Sequence, residues 1–302
     1  MELTDFQKKL VTLLPDIYFA MEEPMAKHTS FRIGGPVEVM AFPKTAEELA
    51  SLLKTAALLD ITPAILGAGT NILAPDDGIR GLVICLKDCM DGMEQLDGTH
   101  IRVAAGVTMT RAAIFAANLG LSGLEFAHGI PGTVGGGVYM NAGAYGGEIC
   151  QVCESVEVMD MEGNISTVSC SGMEFSYRHS ILEEKGGIVL RAVFHLEPKP
   201  QEEIREKMAD LMNRRKTSQP LDLPSAGSAF KRPVGGYAAA LIDQSGLKGF
   251  SVGGAGVSTK HAGFVVNNGG ATSADVKEVL RQVSDKVFAD SGIRLEPEVR
   301  IW

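Results

Sequence analysis

The segment that most restricts this chain runs from Gly129 to Gly147 and carries eight glycines, three of them consecutive. Residues without a Cβ atom add no side chains to a core, and they let backbone N–H groups approach another group closely. A second stretch of this kind, "LGAGTNIL" at residues 66–73, continues a short apolar strand pattern. Converging N–H groups favour an anion, and a diphosphate is the expected guest. One such loop is more often only a turn, so it is the pair that favours a phosphate-bearing cofactor.

Neither stretch is a standard nucleotide motif. A Rossmann fingerprint places G-x-G-x-x-G between a strand and a helix, and a P-loop places a lysine after its last glycine. Both patterns are missing from these two stretches. The residues alone therefore indicate a phosphate-bearing cofactor held in another way, either in an enzyme or in a binding protein.

The composition is that of a soluble globular protein. The chain has 302 residues, of which 45% are hydrophobic and 22% charged, and this length suggests two domains or three. Its net charge of −9 argues against broad binding to nucleic acids or anionic membranes, although a local basic pocket can still take an anionic substrate. The N-terminus lacks a signal-peptide pattern and no apolar run is long enough to span a membrane, so we expect a cytoplasmic protein.

Five cysteines in a chain of this size indicate a reduced, intracellular protein. Cys150 and Cys153 form a C-x-x-C pattern, but no second pair or nearby histidines complete a zinc site, so no metal is expected. Two buried thiols are a better interpretation than a redox pair.

Hydrophobic periodicity predicts helices near residues 3–14, 45–59, 110–120, 201–218, 237–246 and 273–292. Thr4 with Gln7 and Thr45 with Glu48 have the spacing of capping boxes. Strands are predicted at 36–42, 81–86, 101–106, 187–198 and 293–302, with a hairpin over 155–168 that turns at Gly163. Residues 63–73 are predicted as a short strand that runs into a glycine loop, and 262–270 as a strand with a turn. Strands and helices mix without strict alternation, which favours an α+β fold. Pro198 and Pro200 suggest a domain boundary, giving domains 1–198 and 199–302.

The motifs together resemble one family. Its members are the UDP-N-acetylenolpyruvoylglucosamine reductases, also called UDP-N-acetylmuramate dehydrogenases, and the compact length is similar to the shorter of their two classes. The matching motifs cover nearly the whole chain in the family's order: "HTSFRIGGP" (28–36), "GAGTNIL" (67–73), "GIPGTVGGGVYMNAGAYGGE" (129–148), "SYRHS" (176–180), "GSAFKRP" (227–233), "LIDQSGLKG" (241–249) and "LEPEVRIW" (295–302).

The resemblance implies an FAD-binding domain of the vanillyl-alcohol oxidase and p-cresol methylhydroxylase type, with two subdomains, followed by a C-terminal substrate-binding domain. It implies FAD held without a covalent bond, although His28 and His128 are residues of the type that can form one, and NADPH as the reductant. The implied FAD-binding residues are Phe31, Arg32, Gly34, Leu66, Gly67, Ala68, Gly69, Thr70, Asn71, Ile72, Gly129, Ile130, Pro131, Gly132, Thr133, Gly136, Gly137, Asn141, Ala142 and Gly143.

The implied reaction reduces the enol ether of a UDP-sugar, as a step in peptidoglycan precursor synthesis. By resemblance Ser228 is the proton donor, Arg178 stabilises the developing carboxylate charge, and Glu298 stabilises the enol. A serine hydroxyl can protonate a carbanionic carbon, and because no nucleophile is needed, no histidine has to activate it. A guanidinium can bind a carboxylate with two parallel hydrogen bonds. Glu296 is two residues from Glu298, and strand spacing alone does not choose between them.

Each of these residues could instead have only a structural role. Ser228 in isolation reads as a turn or N-cap serine, and Arg178 as a surface ion pair. Tyr177, Lys216 and Arg232 match substrate-linked positions of the family, although many relatives have asparagine where this chain has Arg232. Lys216 ends the basic run 214–216, for which a solvated helix end is the preferred reading at Arg214 and Arg215.

Two other functions remain open at this point. An FAD-dependent oxidase of the same fold would share the glycine-rich loops but not the ordered set Arg178, Ser228 and Glu298. A non-catalytic module that binds nucleotide sugars would not bind FAD. A small-molecule substrate and a monomer are expected, with neither nucleic acid nor membrane as a partner.

Overall fold

In a computed structural model that describes residues 3–302, the contacts group the chain into two units. Unit 1 takes the chain up to Met21, Val39–Ala68 and Gly81–Asn213. Unit 2 takes Glu22–Glu38, Gly69–Arg80 and Arg214–Trp302. Unit 2 thus draws on two N-terminal segments as well as on the C-terminal part. The domain boundary after residue 198 stays a prediction.

Every helix predicted from the sequence is present. Residues 3–302 form eight α-helices: α1 (Asp5–Leu13), α2 (Ala46–Leu58), α3 (Met109–Asn118), α4 (Val134–Tyr139), α5 (Leu182–Lys185), α6 (Gln201–Ser218), α7 (Ala238–Gln244) and α8 (Ser273–Ser291). None of the helices formed by these residues is both long and apolar enough to cross a membrane. The mixture of helices and strands confirms the α+β class.

The helices begin where their caps predict. Thr4 Oγ1 accepts a hydrogen bond from Gln7 N, and Gln7 Oε1 accepts one from Thr4 N, which completes the capping box of α1. Thr45 caps α2 by accepting from Glu48 N, but the Glu48 carboxylate accepts from Lys44 N, one residue before the cap. The second predicted box therefore forms with a shifted return bond.

The strands are mostly short. They are β1 (Tyr18–Pro24), β2 (Pro36–Phe42), β3 (Ala64–Leu66), β4 (Ile72–Leu73), β5 (Ile79–Cys85), β6 (Met93–Gln95), β7 (His100–Ala104), β8 (Leu121–Ser122), β9 (Gly143–Ala144), β10 (Gly147–Glu148), β11 (Cys153–Met159), β12 (Ile165–Ser169), β13 (Ile188–His195), β14 (Glu197–Pro198), β15 (Ser225–Ser228), β16 (Ser251–Val252), β17 (Ala255–Val257), β18 (Phe264–Asn267) and β19 (Arg300–Ile301).

Three larger sheets organise these strands. Unit 1 contains an antiparallel sheet in the order β12-β11-β13-β7-β6, in which β11 and β12 are the predicted hairpin. A sheet in the order β1-β2-β5-β3 has β3 parallel to β5. Unit 2 contains the antiparallel sheet β15-β18-β17-β16, and β19 pairs with β4 in parallel.

Each unit has its own apolar core. In unit 1, one cluster packs α3 and α4 on the five-stranded sheet, and another packs α2 with β5 and Leu190. In unit 2, Phe31, α7 and α8 pack against β17 and β18. The terminal strand predicted over 293–302 was too long, because only Arg300 and Ile301 have a strand partner in β4.

Candidate active site

The glycine-rich segment of unit 1 contains a helix, which the sequence reading as a loop did not predict. Thr133 caps α4 by accepting from Gly136 N at 3.4 Å. Gly135 N donates to Ala105 O and Gly137 N to Thr133 O, so the amides of these three glycines bond within the protein. The N–H groups of Gly135, Gly136 and Gly137 are thus used within the protein, and anion binding by the other N–H groups of residues 129–147 stays a prediction. The FAD-binding roles of Gly136 and Gly137 remain predictions.

The two glycine stretches meet at Gly67 and Thr133. A Cβ atom added to Gly67 would lie 2.6 Å from Thr133 Oγ1, so residue 67 has to be glycine for the segments to approach this closely. Thr133 is buried, and its hydroxyl is already used as the cap of α4. Unit 1 therefore brings together residues 66–68 and the loop before α4, which the resemblance assigned to one cofactor. This arrangement fits FAD.

Asn141 holds the segment that carries Arg178. Its side chain is buried, and Nδ2 donates to Ser176 O at 3.0 Å and to Glu148 Oε2 at 3.1 Å. Oδ1 accepts from Cys150 N at 3.0 Å. An amide with these three partners orients protein segments, and so the structure gives Asn141 a second role beside its predicted contact with FAD.

Arg178 lies in a tight turn of unit 1. Ser176 and His179 exchange two backbone hydrogen bonds of 3.2 Å, which places Tyr177 and Arg178 at the tip. Arg178 has φ of 57°, a left-handed conformation that is uncommon for arginine. Ser180 Oγ donates to Tyr139 O at 2.8 Å and ties the turn to α4. The guanidinium is half-buried over the Tyr177 ring, 5.2 Å from its centre.

In unit 2, residues 28–35 pack against the second half of the first glycine stretch. A Cβ on Gly69, which has φ of 60°, would lie 2.0 Å from His28 O. Ser30 N donates to Gly69 O at 3.1 Å. Phe31 is buried in the core of unit 2 and its carbonyl accepts from Asn267 Nδ2, while its predicted role in FAD binding stays a prediction.

The other predicted FAD-binding residues occupy varied surroundings. Arg32 is exposed with φ of 56°, and Leu66 is buried at the end of β3. Gly143 belongs to β9, and Ala142 N donates to Gly137 O at 2.7 Å. Pro131 is exposed, and the partly exposed residues of this set are Gly34, Gly67, Ala68, Thr70, Asn71, Ile72, Gly129, Ile130 and Gly132.

Ser228 and Glu298 lie on neighbouring backbone segments of unit 2. Glu298 N donates to Ala229 O at 2.9 Å, and Phe230 forms a bridge with Pro297. Ser228 ends β15 and is exposed, while Glu298 is half-buried. A hydroxyl and a carboxyl group on adjacent segments can together donate a proton and stabilise an enol.

Glu296, the alternative to Glu298, has a different environment. Its carboxylate pairs with Lys231 Nζ at 3.5 Å, and the side chain is 74% exposed. Residues 296 and 298 flank Pro297, which forms an isolated bridge with Phe230, and they lie outside the regular strands. A carboxylate on the surface beside a lysine is less suited to hydrogen-bond an enol in a binding site than a half-buried one, and this supports Glu298.

The predicted substrate residues of unit 2 are exposed. Lys216 lies in the last turn of α6, where its carbonyl accepts from Lys260 Nζ at 2.6 Å. The Arg232 guanidinium lies over the Tyr237 ring at 4.5 Å. Arg215 is only 8% exposed and donates to Gln219 Oε1 at 3.3 Å, so the expectation of a solvated side chain was wrong for this residue.

His28 and His128 are two histidines of the type that can form a covalent bond to FAD. His28 Nε2 lies 3.0 Å from Glu23 Oε1, within unit 2. His128 Nδ1 is buried and has no hydrogen-bond partner among residues 3–302, and burial lowers the pKa of this ring. A neutral, unpartnered ring nitrogen next to Gly129 is compatible with a cofactor group at this point.

The sequence did not predict the hydrogen bonds that Ser30 makes. It lies inside the quoted motif "HTSFRIGGP", but its own hydroxyl had no assigned function. Ser30 Oγ donates to Ser225 O at 2.6 Å and approaches Gly69 O at 3.4 Å. Its only sequence signal is the presence of a small hydroxyl residue before Phe31, because the partners are far away in the chain.

Two known protein domains match separate parts of this chain. The C-terminal domain of UDP-N-acetylenolpyruvoylglucosamine reductase matches residues 219–302, and the FAD binding domain matches residues 37–169. The second match confirms the FAD-binding fold class.

Full-length relatives carry one name. UDP-N-acetylenolpyruvoylglucosamine reductase of Agathobacter rectalis is 46% identical over 307 residues and covers 98% of each chain. That of Caldanaerobacter subterraneus is 48% identical over 293 residues, with 97% of this chain and 96% of the relative covered. The crystal structure of the Thermus caldophilus reductase has a TM-score of 0.80 at 36% identity, covering 95% of this chain and 98% of that one. Alkyldihydroxyacetonephosphate synthase, at 19% identity and a TM-score of 0.50, shares the fold only.

Proposed function

The chain belongs to the UDP-N-acetylenolpyruvoylglucosamine reductase family, and we propose that it reduces UDP-N-acetylenolpyruvoylglucosamine to UDP-N-acetylmuramate with NADPH. Bound FAD supplies the two-electron redox step between NADPH and the enolpyruvyl double bond. The residues that would hold FAD are those around the Gly67–Thr133 contact and residues 69–72. The product places the enzyme in peptidoglycan precursor synthesis.

The chain's own residues handle the proton and the charge. Reduction at the terminal vinyl carbon moves negative charge toward the substrate carboxylate, where the guanidinium of Arg178 binds it. The Ser228 hydroxyl donates its proton to the neighbouring carbon, which is basic enough to take it. Glu298 stabilises the enol form by hydrogen bonding. Tyr177, Lys216 and Arg232 bind the UDP-sugar, and the two basic side chains are suited to its phosphates.

One observation carries the catalytic assignment: the hydrogen bond from Glu298 N to Ala229 O, which makes the two proposed proton-handling residues neighbours. Ser228 and Glu298 are far apart in the sequence, and only folding brings their backbone segments together. An oxidase that uses oxygen has no need for a proton donor beside the substrate carbon. The proposal also includes a monomer in the cytoplasm, which light scattering of the holoenzyme and cell fractionation would test.

The test separates the two half-reactions. In Ser228→Ala we expect NADPH to reduce bound FAD at the normal rate, while reoxidation by the UDP-enolpyruvyl sugar stops. Ser228→Cys, which keeps a donatable proton, should retain part of the reoxidation rate. Normal turnover in Ser228→Ala would remove Ser228 from the mechanism.

A matched pair of glutamates tests the third assignment. Glu298→Gln should slow reoxidation by roughly 100-fold or more, as loss of a positioned acid or base does. Glu296→Gln removes a carboxylate two residues away and should stay within about twofold, because exposed ion pairs contribute little. Equal effects of the two substitutions would contradict the choice of Glu298.

A further inference from the structure

In unit 2, Ser30 is hydrogen-bonded both to the first glycine stretch and to the strand of the proposed proton donor. Ser30 N donates to Gly69 O at 3.1 Å, and Ser30 Oγ donates to Ser225 O at 2.6 Å. Ser225 begins β15, which ends at Ser228. One residue therefore bonds both to the loop predicted to hold FAD and to the strand that carries the proposed proton donor.

A second connection closes a ring. Asn71 Nδ2 donates to Glu298 O at 3.2 Å, and Glu298 N donates to Ala229 O at 2.9 Å. Following the chain from Gly69 to Asn71 and from Ala229 back to Ser225 returns to Ser30. Both Ser228 and Glu298 lie on this ring, which we call the Ser30 ring.

β15 is held at both ends but is irregular between them: Ala229 N, just after Ser228, donates to Gly263 O at 2.8 Å. β15 pairs with β18 at Ser225 opposite Val266 and at Ser228 opposite Phe264, with a register shift between them. Gly227 in this bulge has φ of 76° and no neighbouring atom within 4 Å of an added Cβ among residues 3–302. A bulge redirects a strand locally, so its geometry depends on what anchors its ends.

We propose that Ser30 is a positioning residue, which sets the place of the Ser228 hydroxyl relative to the FAD-binding loop through the Ser225 carbonyl. The inference rests on the proposed function, since it assumes that Ser228 donates the proton. Without the Ser30 hydroxyl, the ring opens between Gly69 and Ser225 and the bulge can shift. Displacement of a reacting group by about 1 Å can reduce the rate by about 100-fold.

The experiment compares Ser30→Ala, Ser30→Thr and a matched control, Ser291→Ala, in FAD-loaded enzyme. Ser291 Oγ also donates to a carbonyl of unit 2, that of Val287 at 2.7 Å, but lies at the end of α8. In Ser30→Ala we expect reoxidation by the UDP-enolpyruvyl sugar to slow by about tenfold or more, with reduction by NADPH within about twofold. Ser30→Thr keeps the hydroxyl and should restore the rate, and Ser291→Ala should leave both rates unchanged.

A second measurement does not depend on turnover. Amide hydrogen exchange across residues 225–229 should be faster in Ser30→Ala than in wild type or Ser291→Ala, because local anchoring is lost. If Ser30→Ala fails to retain FAD, Ser30→Cys, with a weaker donor, provides the same comparisons. Unchanged exchange, or a proportional fall in both half-reactions, would overturn the proposal. Faster exchange with normal turnover in Ser228→Ala would instead leave the ring intact as a finding and reject the role of Ser228.

Discussion

Asn71 Nδ2 donates a hydrogen bond of 3.2 Å to Glu298 O, and the Asn71 carbonyl accepts one of 2.9 Å from Arg300 N. The short parallel pair of β4 and β19 continues this contact. The last residues of the chain are thereby attached to the stretch predicted to bind FAD. A substitution at Asn71 should consequently affect Glu298 as well as the cofactor.

Two positions of the Ser30 ring should be energetically coupled. Ser30→Ala and Asn71→Ala each open the ring, so each should slow reoxidation of the FAD-loaded enzyme by the UDP-enolpyruvyl sugar. Once the ring is open, the second substitution has less to disrupt, and the double variant should be about as slow as the slower single variant. Coupling of about 0.5–3 kcal/mol is usual for residues in one hydrogen-bond network. Stopped-flow rates at saturating FAD measure it, and strictly multiplicative effects would show that the two bonds act independently.

The contact between Gly67 and Thr133 makes a prediction about FAD affinity. In Gly67→Ala the new Cβ would lie 2.6 Å from Thr133 Oγ1, and the hydroxyl cannot move without weakening the cap of α4. Loss of such a cap costs about 1 kcal/mol, and the separated segments should bind FAD roughly tenfold more weakly, which corresponds to about 1.4 kcal/mol. Fluorescence titration of the apoprotein with FAD measures this change.

Gly98→Ala is the matched control for that substitution. A Cβ on Gly98 meets no atom of residues 3–302 within 4 Å. We expect unchanged FAD affinity in this variant. If Gly67→Ala binds FAD as tightly as Gly98→Ala does, the close approach at Thr133 is not part of the cofactor site.

The sequence predicts the helices well because their signals are local. The reciprocal cap of Thr4 and the 3.6-residue periodicity of α6 and α8 are properties of single segments. α4 was missed because its glycines are poor helix formers. Its stability comes from packing: Gly135 and Gly137 lie against Ala105 and Met109 so closely that a Cβ would be 2.9 and 2.7 Å from their side chains. Such tertiary contacts are not visible in local propensity.

Only part of the candidate site could be predicted from the sequence. The motifs identify Ser228 and Glu298 as a pair only through resemblance to a family, and spacing did not distinguish Glu296 from Glu298. Their exposure separates them, because Glu296 is exposed and Glu298 is half-buried. The bond from Ser30 to Ser225 joins residues 195 positions apart, and no pattern in the sequence connects two serines over that distance.

The five cysteines are free thiols of two kinds. Burial raises the pKa of Cys85 to about 11 and that of Cys153 to about 12, and both side chains are inaccessible. Cys89, Cys150 and Cys170 are only half-buried, so the expectation that Cys150 is buried was correct only in part.

This difference predicts a pattern of alkylation. N-ethylmaleimide at pH 8 should modify Cys89, Cys150 and Cys170 in the folded protein, because the reagent can reach these half-buried sulfurs, although burial raises the pKa of these thiols too. Cys85 and Cys153 should react only after unfolding, because the thiolate is the nucleophile and their sulfurs are buried. Peptide mass spectrometry before and after addition of urea measures each site. A native mass two hydrogens lower, with Cys150 and Cys153 both blocked, would instead identify the C-x-x-C pair as a disulfide.

His100, the first residue of β7, gives the five-stranded sheet of unit 1 a pH-dependent contact. Nδ1 lies 2.9 Å from Asp97 Oδ1, and Nε2 lies 2.7 Å from Glu154 Oε2. The hydrogen bond to Asp97, with the charges of Asp97 and Glu154, raises the pKa of His100 above its usual value of 6.5. The protonated ring can donate to both carboxylates at once, whereas the neutral ring can donate to only one.

The raised pKa of His100 determines the direction of the pH dependence. Its stabilising contribution is complete below pH 6.5, the unfolded value, and is lost as the pH rises through the higher folded pKa. Burial lowers the pKa of His128 and His261, which gives the opposite slope, so the prediction concerns the difference in Tm between wild type and His100→Gln. That difference should be largest near pH 6 and shrink toward pH 9 in thermal unfolding curves. Asp97→Asn, which removes the main cause of the shift, should reproduce the loss, and a Tm difference independent of pH would mean that His100 acts through packing alone.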